Sequence, residues 1–413
     1  MADLIPFKGI RPAEGLEAQT AALPYDVYSR EEARAQVQGR PLSFLNIDRP
    51  ETQFAPEQDM YAPEVYEKAS QMLRDRLAEG TFVQDEEPCY YVYELTMNGK
   101  AQTGIVACAS IDDYLEGVIK KHENTRAAKE EDRIRHVDTC GMQTGPIFLA
   151  YRRDPSVSRI VKEACAKAPA FDFTSEDGIR HRGWKIDGQE RDSLREALQS
   201  VKELYIADGH HRAASAVRVG QMRRERKPDY TGREDFNYFL CVMFPDDELT
   251  ILDYNRVLKD ANGHTEEEIL AFIEKTAKVT PSAEPVRPAH KGEAGLFLPS
   301  GWYRLEFLPD ELSAGPVDGL DVAVLQRRIL GPLFGIDDPR EDPRIDFVGG
   351  IRGLGELEKR VRGGAAAAFS MYPTSIGELF AVADAGLLMP PKSTWFEPKL
   401  RSGLFLHAIG EEA

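Results

Sequence analysis

The sequence predicts an α+β (mixed α/β) fold, and three local patterns support this. Residues 63–80 place apolar side chains at helical spacing and end at a glycine, which predicts a helix. Residues 90–96 and 101–111 read as strands joined by Asn98-Gly99, the strongest short hairpin signal. This pattern indicates a meander and not the opening of a Rossmann unit. An apolar strand end at 204–207 then leads through a short polar turn to a helix at 213–226.

The remaining chain alternates between the two kinds of element. Further helices are predicted at 30–37 (with a Ser29/Glu32 capping box), 127–140, 155–167, 191–200, 265 to about 278, and 322–333. Further strands are predicted at 44–47, 118–119, 144–151, within 170–186, 236–244, 249–257 and 365–372, with a proline-rich linker or loop at 281–288. We expect three segments: an N-terminal α/β segment (1–110), a catalytic core (111–258) and a C-terminal α/β segment (259–413).

Composition excludes several classes of protein. With 413 residues and a net charge of −17, the chain has the size for two or three domains and the wrong charge for general nucleic-acid binding. Apolar runs fall short of the roughly 18 residues of a membrane span, and the N-terminus lacks the pattern of a signal peptide. Five scattered cysteines without a CxxC pair indicate reduced thiols. We therefore expect a cytoplasmic protein that binds neither membrane nor nucleic acid; the oligomeric state stays open.

The densest polar stretch is the turn Asp208-Gly-His-His-Arg212, between the strand end and the helix. Backbone N–H groups at a helix N-terminus favour an anion such as phosphate. Gly209 allows a tight backbone conformation, and Asp208, His210, His211 and Arg212 supply a carboxylate, two imidazoles and a permanent cation. The alternative is that Asp208 caps the helix and both histidines are surface residues.

A second polar stretch, Lys121-His-Glu-Asn-Thr125, follows the short strand at 118–119. It places an imidazole, His122, beside a carboxylate, Glu123. A carboxylate at a strand end can act as a general base. The alternative is a charged loop that leads into the next helix.

Two loops complete the set of candidates. Near the N-terminus, Arg11, Asp26, Asp48 and Arg49 are charged residues close to turns and are candidates for lining a pocket. Near the C-terminus, prolines restrict the loop 389–400, whose anion-binding candidates are Lys392, Ser393, Thr394 and Lys399. That loop is alternatively a structural clamp.

Five stretches together resemble a large bacterial and archaeal family classified as a domain of unknown function. They are Leu23-Pro-Tyr-Asp-Val, Ser43-Phe-Leu-Asn-Ile-Asp-Arg-Pro-Glu, Lys121-His-Glu-Asn-Thr, Ala207-Asp-Gly-His-His-Arg, and Met389-Pro-Pro-Lys-Ser-Thr-Trp-Phe-Glu-Pro-Lys-Leu. The turn 208–212 is also similar to the phosphate-binding turn of the ParB/sulfiredoxin-like superfamily. The free-serine kinases of that superfamily carry a His-Glu segment ahead of the turn, as this chain does.

The resemblance implies a ParB/sulfiredoxin-like core with a mixed sheet. It also implies phosphorylation of free L-serine to O-phospho-L-serine with ATP or ADP and Mg²⁺, feeding serine and cysteine metabolism. Glu123 would be the general base, with His122 and Asp208 as further catalytic residues and Asp208 as the Mg²⁺ ligand. Gly209–Arg212 would contact phosphate, and Lys392, Ser393 and Thr394 are assigned to the same task. We assign the carboxylate and ammonium of the amino acid to Arg11, Asp26, Arg49 and Arg256, the last at the end of the strand 249–257. This chain is longer than those kinases, and the two motifs lie 85 positions apart (208 minus 123).

Two other functions stay open. The second hypothesis is a nucleotide-binding or partner-binding module that uses the same turn without turnover, as ParB-like proteins can. His122, Glu123, Asp208, His210 and His211 also suit a metal-dependent hydrolase, although the chain has no HExxH pattern.

Overall fold

The computed structural model describes residues 1–125, 127–312 and 315–410. These residues form two compact units. The first unit comprises Met1–Leu249 together with the chain from Pro398 onward, and the second comprises Thr250–Glu397. This division differs from the three predicted segments. The predicted boundary at 110 falls inside one sheet, because the strand that ends at Ser110 pairs with strands on both sides of that boundary.

The first unit contains twelve strands before residue 250 among the described residues. They are β1 (Leu4–Ile5), β2 (Ile10–Pro12), β3 (Phe82–Gln84), β4 (Tyr90–Met97), β5 (Lys100–Ser110), β6 (Ile119–Lys120), β7 (Met142–Gln143), β8 (Ile147–Tyr151), β9 (Phe171–Thr174), β10 (Arg180–Ile186), β11 (Leu204–Asp208) and β12 (Tyr238–Pro245).

A mixed sheet organises this unit. Its strand order is β6-β11-β8-β12-β5-β4-β10-β9, and β1 also pairs with β5. β6 runs parallel to β11, β8 runs parallel to β12, and the other pairs are antiparallel. β8 and β12 are buried at every residue, as their continuous apolar sequences predict for strands covered on both faces. The predicted mixed α/β fold with a mixed sheet is confirmed.

The first unit also contains helices before residue 250. They are α1 (Glu17–Thr20), α2 (Arg30–Val37), α3 (Leu45–Asp48), α4 (Pro63–Ala78), α5 (Ile111–Leu115), α6 (Ala127–Cys140), α7 (Pro155–Cys165), α8 (Gly188–Leu198) and α9 (His210–Arg226), with 3₁₀ turns at Tyr25–Val27, Pro50–Gln53 and Asp235–Asn237. The predicted Ser29/Glu32 capping box is present.

The second unit contains one antiparallel sheet of order β15-β17-β16-β19-β14-β18 and a separate β13–β20 pair. Its strands are β13 (Thr250–Leu252), β14 (Tyr254–Leu258), β15 (Ala277–Ser282), β16 (Glu293–Leu298), β17 (Gly301–Phe307), β18 (Ile345–Gly349), β19 (Ala367–Met371) and β20 (Trp395–Glu397). Its helices are α10 (Glu266–Ile273), α11 (Pro309–Leu312), α12 (Asp321–Leu325), α13 (Gly331–Phe334), α14 (Leu354–Arg362) and α15 (Ile376–Asp384), with a 3₁₀ turn at Gly350–Arg352. A π-helical stretch, Gln326–Leu330, joins α12 to α13. It ends two residues before Pro332, which has no backbone N–H to donate to the ordinary helical hydrogen bond.

After the second unit the chain returns to the first. There β21 (His407–Ala408) pairs with β7, and Ser402 exchanges backbone hydrogen bonds of 2.9 and 3.2 Å with Ala22. Leu406 likewise exchanges backbone hydrogen bonds with Ile10. The last described residues are therefore an integral part of the first unit.

Two predicted elements are wrong. Residues 44–47 were expected to form a strand, but Leu45–Asp48 is a helical turn, because a four-residue apolar run suits either structure. Residues 277–282 were expected to end a helix and begin a linker, but they form β15. β15 is an edge strand, which is where a sheet tolerates a residue such as Pro281 that cannot donate.

Within the described ranges, we find no helix with the length and apolar character that crossing a membrane requires.

Candidate functional site

The two predicted motifs meet because β6 and β11 are parallel neighbours. Ile119 pairs with Leu204 and Lys120 with Tyr205, so the register joins residues 85 positions apart (204 minus 119). The same offset separates Glu123 from Asp208. The segments that follow β6 and β11 therefore leave the sheet at the same edge. This edge lies at the carboxyl ends of the strands, where α/β proteins commonly bind ligands.

The turn after β11 has the geometry of an anion site. Gly209 is the N-cap of α9 and has φ 93° and ψ 33°, a left-handed conformation that favours glycine. Asp208 is thus not the N-cap residue. The helix begins at His210, three residues earlier than predicted, so His210, His211 and Arg212 form its first turn. The N–H groups of this turn lack intrahelical acceptors and carry partial positive charge.

Two cations flank the carboxylate of Asp208. Arg212 Nη2 lies 3.4 Å and Lys399 Nζ lies 3.8 Å from Asp208 Oδ2, and both cationic side chains are mostly buried. Arg212 also donates from Nη1 to the carbonyl oxygen of Pro146 at 2.5 Å. With two cations to one carboxylate beside a helix N-terminus, this corner favours an anionic ligand.

His122, Glu123 and His210 form a compact cluster beside the turn. The ring centroids of His122 and His210 lie 4.6 Å apart at an interplanar angle of 89°. One ligand atom from each of the three residues lies within 4.8 Å of the others. Both histidines are buried, and Glu123 and the neighbouring His211 are half-buried.

Burial sets the charge of these imidazoles. It lowers the pKa of His122 to about 4, against smaller raising effects of a hydrogen bond with the Ile206 backbone and of Asp208. Burial, followed by the proximity of His122, lowers the pKa of His210 well below its ordinary value. Both side chains are therefore neutral at pH 7.

A small cavity adjoins Arg212. It has a volume of about 30 Å³, and Tyr25, Asp48, Arg133 and Ser215 are among the residues that line it. The Arg133 guanidinium lies 4.1 Å from the centroid of the Tyr25 ring. This cavity connects the turn to the N-terminal Leu23–Val27 motif, because the two motifs contribute parts of one wall.

A larger pocket, of about 150 Å³, shares the lining residues Tyr25 and Arg133 with this cavity. Asp26 and Arg49 both line it, as does Lys129. Two of the predicted substrate-binding residues therefore share one pocket.

Arg49 stabilises the backbone next to this pocket. Its Nε donates to Glu51 Oε1 at 2.6 Å, and its Nη1 donates to the backbone oxygens of Tyr25 and Tyr28 at 3.0 and 2.9 Å. These contacts fix the 3₁₀ turn that presents Asp26.

Arg11 is held elsewhere in the first unit. Its guanidinium forms a two-point ion pair with Asp85, at 2.9 and 3.0 Å, and lies 5.6 Å from the centroid of the Tyr91 ring. It is absent from the walls described above, so its assignment to substrate binding stays a prediction without geometric support.

The other predicted residues belong to the second unit. Arg256 is buried, its Nη2 donates to the carbonyl oxygen of Lys392 at 3.1 Å, and burial lowers its pKa to about 10. The Ser393 hydroxyl donates to the carbonyl oxygen of Pro390 at 2.6 Å, while Lys392 is exposed and Thr394 is half-buried. The backbone of this loop thus accepts hydrogen bonds from Arg256 and from Ser393 of the loop itself. The assignment of Lys392, Ser393 and Thr394 to phosphate stays a prediction.

Sequence reasoning missed a set of buried polar contacts in the walls of the cavity and of the pocket. Arg133 pairs with Asp132 at 2.8 Å, Tyr66 donates to Asp132 at 2.9 Å, and Thr144 donates to Asp48 at 3.0 Å. A signal was present, since Asp132 and His136 lie four residues apart on α6, and both are buried polar side chains.

The fold and the site together define a mixed α/β protein in which a strand–turn–helix corner lies beside a histidine–glutamate pair. The chain belongs to the family described as "Protein of unknown function (DUF1015)", whose profile matches residues 4–323. The matched region includes both motifs, whereas Lys392–Thr394 and Lys399 lie beyond it.

Several solved structures are similar to this chain at low identity. A free serine kinase in complex with AMP is 14% identical, with 73% of this chain and 91% of that chain covered and a TM-score of 0.36. A conserved hypothetical protein from Pyrococcus furiosus is 14% identical, with 74% and 95% covered and a TM-score of 0.35. SbnI with a C-terminal truncation, from Staphylococcus aureus, is 11% identical, with 75% and 90% covered and a TM-score of 0.38. No curated protein sequence matches the chain.

Proposed function

We propose that this chain is a phosphotransferase that moves a phosphoryl group from ATP or ADP to the hydroxyl of free L-serine, giving O-phospho-L-serine. One observation carries the proposal: the parallel register of β6 and β11 brings the Glu123 carboxylate within 4.8 Å of a ring nitrogen of His210, in the first turn of α9. A base and an anion-binding turn thus lie at the same sheet edge.

The turn supplies the binding of the phosphates. Phosphoryl transfer depends mainly on positioning and on donors around the moving group. The N–H groups at the start of α9, the Arg212 guanidinium and the Lys399 ammonium provide such donors around one point.

Glu123 supplies the base. A serine hydroxyl is a weak nucleophile, and a carboxylate that accepts its proton assists the attack. The new bond from the serine oxygen to phosphorus forms as the bond to the leaving nucleotide oxygen breaks, and the hydroxyl proton passes to Glu123.

The pocket of about 150 Å³ suits a small amino acid. The carboxylate of Asp26 would pair with the substrate ammonium, and Lys129, which lines the same pocket, would pair with the substrate carboxylate. Arg49 acts as a positioning residue because it holds the turn that carries Asp26.

Asp208 fits the role of a Mg²⁺ ligand in a nucleotide complex. Proteins usually hold Mg²⁺ through one or two carboxylates, several waters and the substrate phosphates. The Asp208 side chain is 37% exposed, which leaves room for water. When bound, the ion would neutralise charge on the phosphates while Arg212 and Lys399 orient them.

The test is direct detection of phosphoserine. Wild-type protein is incubated with L-serine, Mg²⁺ and either ATP or ADP, and O-phospho-L-serine is quantified by mass spectrometry. We expect product with the wild type and a fall in rate of about 10²–10⁴ in Glu123→Gln, the range for loss of a general base. Glu116→Gln, which changes an exposed glutamate upstream of β6, is the matched control and keeps the wild-type rate.

One outcome separates this function from that of a nucleotide-binding module. Nucleotide binding by folded wild-type protein without product from either donor, with Glu123→Gln binding equally well, would favour a binding module without turnover. Threonine and homoserine in place of serine define which hydroxyl is accepted.

A further inference from the structure

We propose that His122, Glu123 and His210 form a binding site for one divalent transition-metal ion of the Zn²⁺ or Mn²⁺ type. Each residue offers one ligand atom, and the three atoms lie within 4.8 Å of one another. Ligand atoms around tetrahedral zinc at bonds of about 2.05 Å are about 3.4 Å apart. Closing the site therefore needs side-chain movements of at most about 1.4 Å in any pair, within reach of small rotations.

His210 supplies an independent observation that points to a ligand. Its Nε2 is buried and has no hydrogen-bond partner among the described residues. Leaving a buried polar atom unsatisfied costs about 1–3 kcal/mol, so most such atoms in proteins have a partner or a role. A metal ion on this side of the ring would satisfy it.

His122 is already held as metal-binding histidines usually are. Its ring is hydrogen-bonded to the backbone of Ile206 in β11. Ligating histidines commonly donate their second N–H to a backbone carbonyl or a carboxylate, which fixes the ring and its tautomer.

The donor set indicates the class of metal. Two imidazoles and one carboxylate suit Zn²⁺, Mn²⁺ or Fe²⁺, whereas Mg²⁺ and Ca²⁺ prefer oxygen ligands. Three protein ligands leave a coordination position open. This site is distinct from the Mg²⁺ position assigned to Asp208, and it rests on different contacts.

A metal ion at this site would also affect the activity of the proposed kinase. A Glu123 oxygen bound to a transition metal is no longer available to accept the serine proton. Zn²⁺ at this site should therefore inhibit phosphoserine formation, so the metal would act as a regulator of the base.

The binding test uses the full chain without a histidine tag, stripped of metal with a chelator. Co²⁺ is titrated in, and its visible absorption is followed before Zn²⁺ is added as competitor. We expect one Co²⁺ per chain, displaced by Zn²⁺. His210→Ala and Glu123→Gln should each weaken binding at least about tenfold, the smaller end of the effect known even for residues that only support metal ligands.

His264→Ala is the matched control. His264 lies 3.7 Å from Glu268 in the second unit, so it is a histidine beside a glutamate outside the cluster. It should keep the wild-type affinity. If circular dichroism shows that His210→Ala does not fold, Glu123→Gln decides the question.

A wild-type chain that takes up no Co²⁺ or Zn²⁺, or variants that bind as tightly as the wild type, would overturn the metal site. Because this titration contains neither serine nor nucleotide, that failure leaves the kinase proposal standing. Absence of phosphoserine in the kinase assay would equally leave the metal site standing.

Discussion

Replacing Gly209 with alanine tests whether the turn holds a nucleotide through Arg212. An ideal Cβ at this position would lie 3.0 Å from both Nε and Nη2 of Arg212. The guanidinium is the far end of a flexible side chain, so it would move while the helix stays in place. The substitution therefore shifts one cation and leaves the rest of the turn intact.

This substitution should lower both the stability of the protein and its affinity for nucleotide, by separate amounts. A side chain in the left-handed conformation costs about 1–2 kcal/mol. A lower conformational entropy of the unfolded chain offsets about 0.4–1 kcal/mol, so the net loss of stability is about 1 kcal/mol. Loss of a hydrogen bond from a charged donor costs a further 1.5–3 kcal/mol or so of nucleotide affinity, which is about 10- to 150-fold in Kd.

Gly80→Ala separates the two effects. Gly80 has φ 76°, close to the 93° of Gly209, but an added Cβ there would meet no atom within 4 Å among the described residues. We expect both variants to lose similar stability in urea unfolding. Only Gly209→Ala should lose affinity for ADP and ATP in titration calorimetry. The reasoning is refuted if Gly209→Ala binds nucleotide as the wild type does, or if Gly80→Ala is weakened equally.

Three further predictions concern the surroundings of the site and the second unit. Arg49→Met leaves the buried Glu51 carboxylate without its cation and should lower the free energy of unfolding by about 3–5 kcal/mol, measured by urea unfolding. Because of His181, we expect the free energy of unfolding to fall as the pH falls. Burial, followed by the nearby Arg401, lowers the pKa of His181 in the folded protein to about 3, whereas its pKa in the unfolded chain is 6.5. Between these two values only the unfolded chain binds the proton, so protonation favours unfolding. The stability of the wild type relative to His181→Gln should then drop by about 3 kcal/mol from pH 7 to pH 4.5, measured by urea unfolding at each pH. Arg256→Ala removes the donor that holds the Lys392 carbonyl and should speed trypsin cleavage after Lys392, measured by mass spectrometry.

Each of these predictions has a clear contrary result. Unchanged stability in Arg49→Met would show that the pair with Glu51 is dispensable. A difference between wild type and His181→Gln that stays constant with pH would contradict neutral burial of that ring. An unchanged cleavage rate in Arg256→Ala would show that other contacts hold the loop, with cleavage at the exposed Lys68 as the internal control.

The sequence predicted elements well where local signals were long or strong. The helix predicted at 63–80 is Pro63–Ala78, and the Asn98-Gly99 hairpin joins β4 and β5 as expected. The helical turn Leu45–Asp48 could not be told from a strand, because its four residues are too few to show a period. The boundaries of the two units could not be read either, because they depend on which distant strands pair.

In the candidate site, too, local motifs identified some residues, whereas the role of others depends on the tertiary structure. His122, Glu123 and His210 were selected from local motifs, and the structure brings them together through the register of β6 and β11. Lys399 was noted only as one of several loop residues, because its approach to Asp208 requires the chain to return to the first unit. The ties of Arg49 to Glu51 and to two backbone oxygens depend equally on tertiary structure.

That return of the chain has a consequence for synthesis. The second unit separates residue 249 from residue 398 by 148 residues (397 minus 249), so a ribosome takes roughly 7–30 s to cross it at about 5–20 residues per second. During this interval the nascent first unit lacks β21 and the lysine that approaches Asp208. A prematurely terminated chain would carry the whole Asp208–Arg212 turn yet lack one of its two cations. On the proposed function, the turn gains its second phosphate-binding cation only after residue 399 has been synthesised.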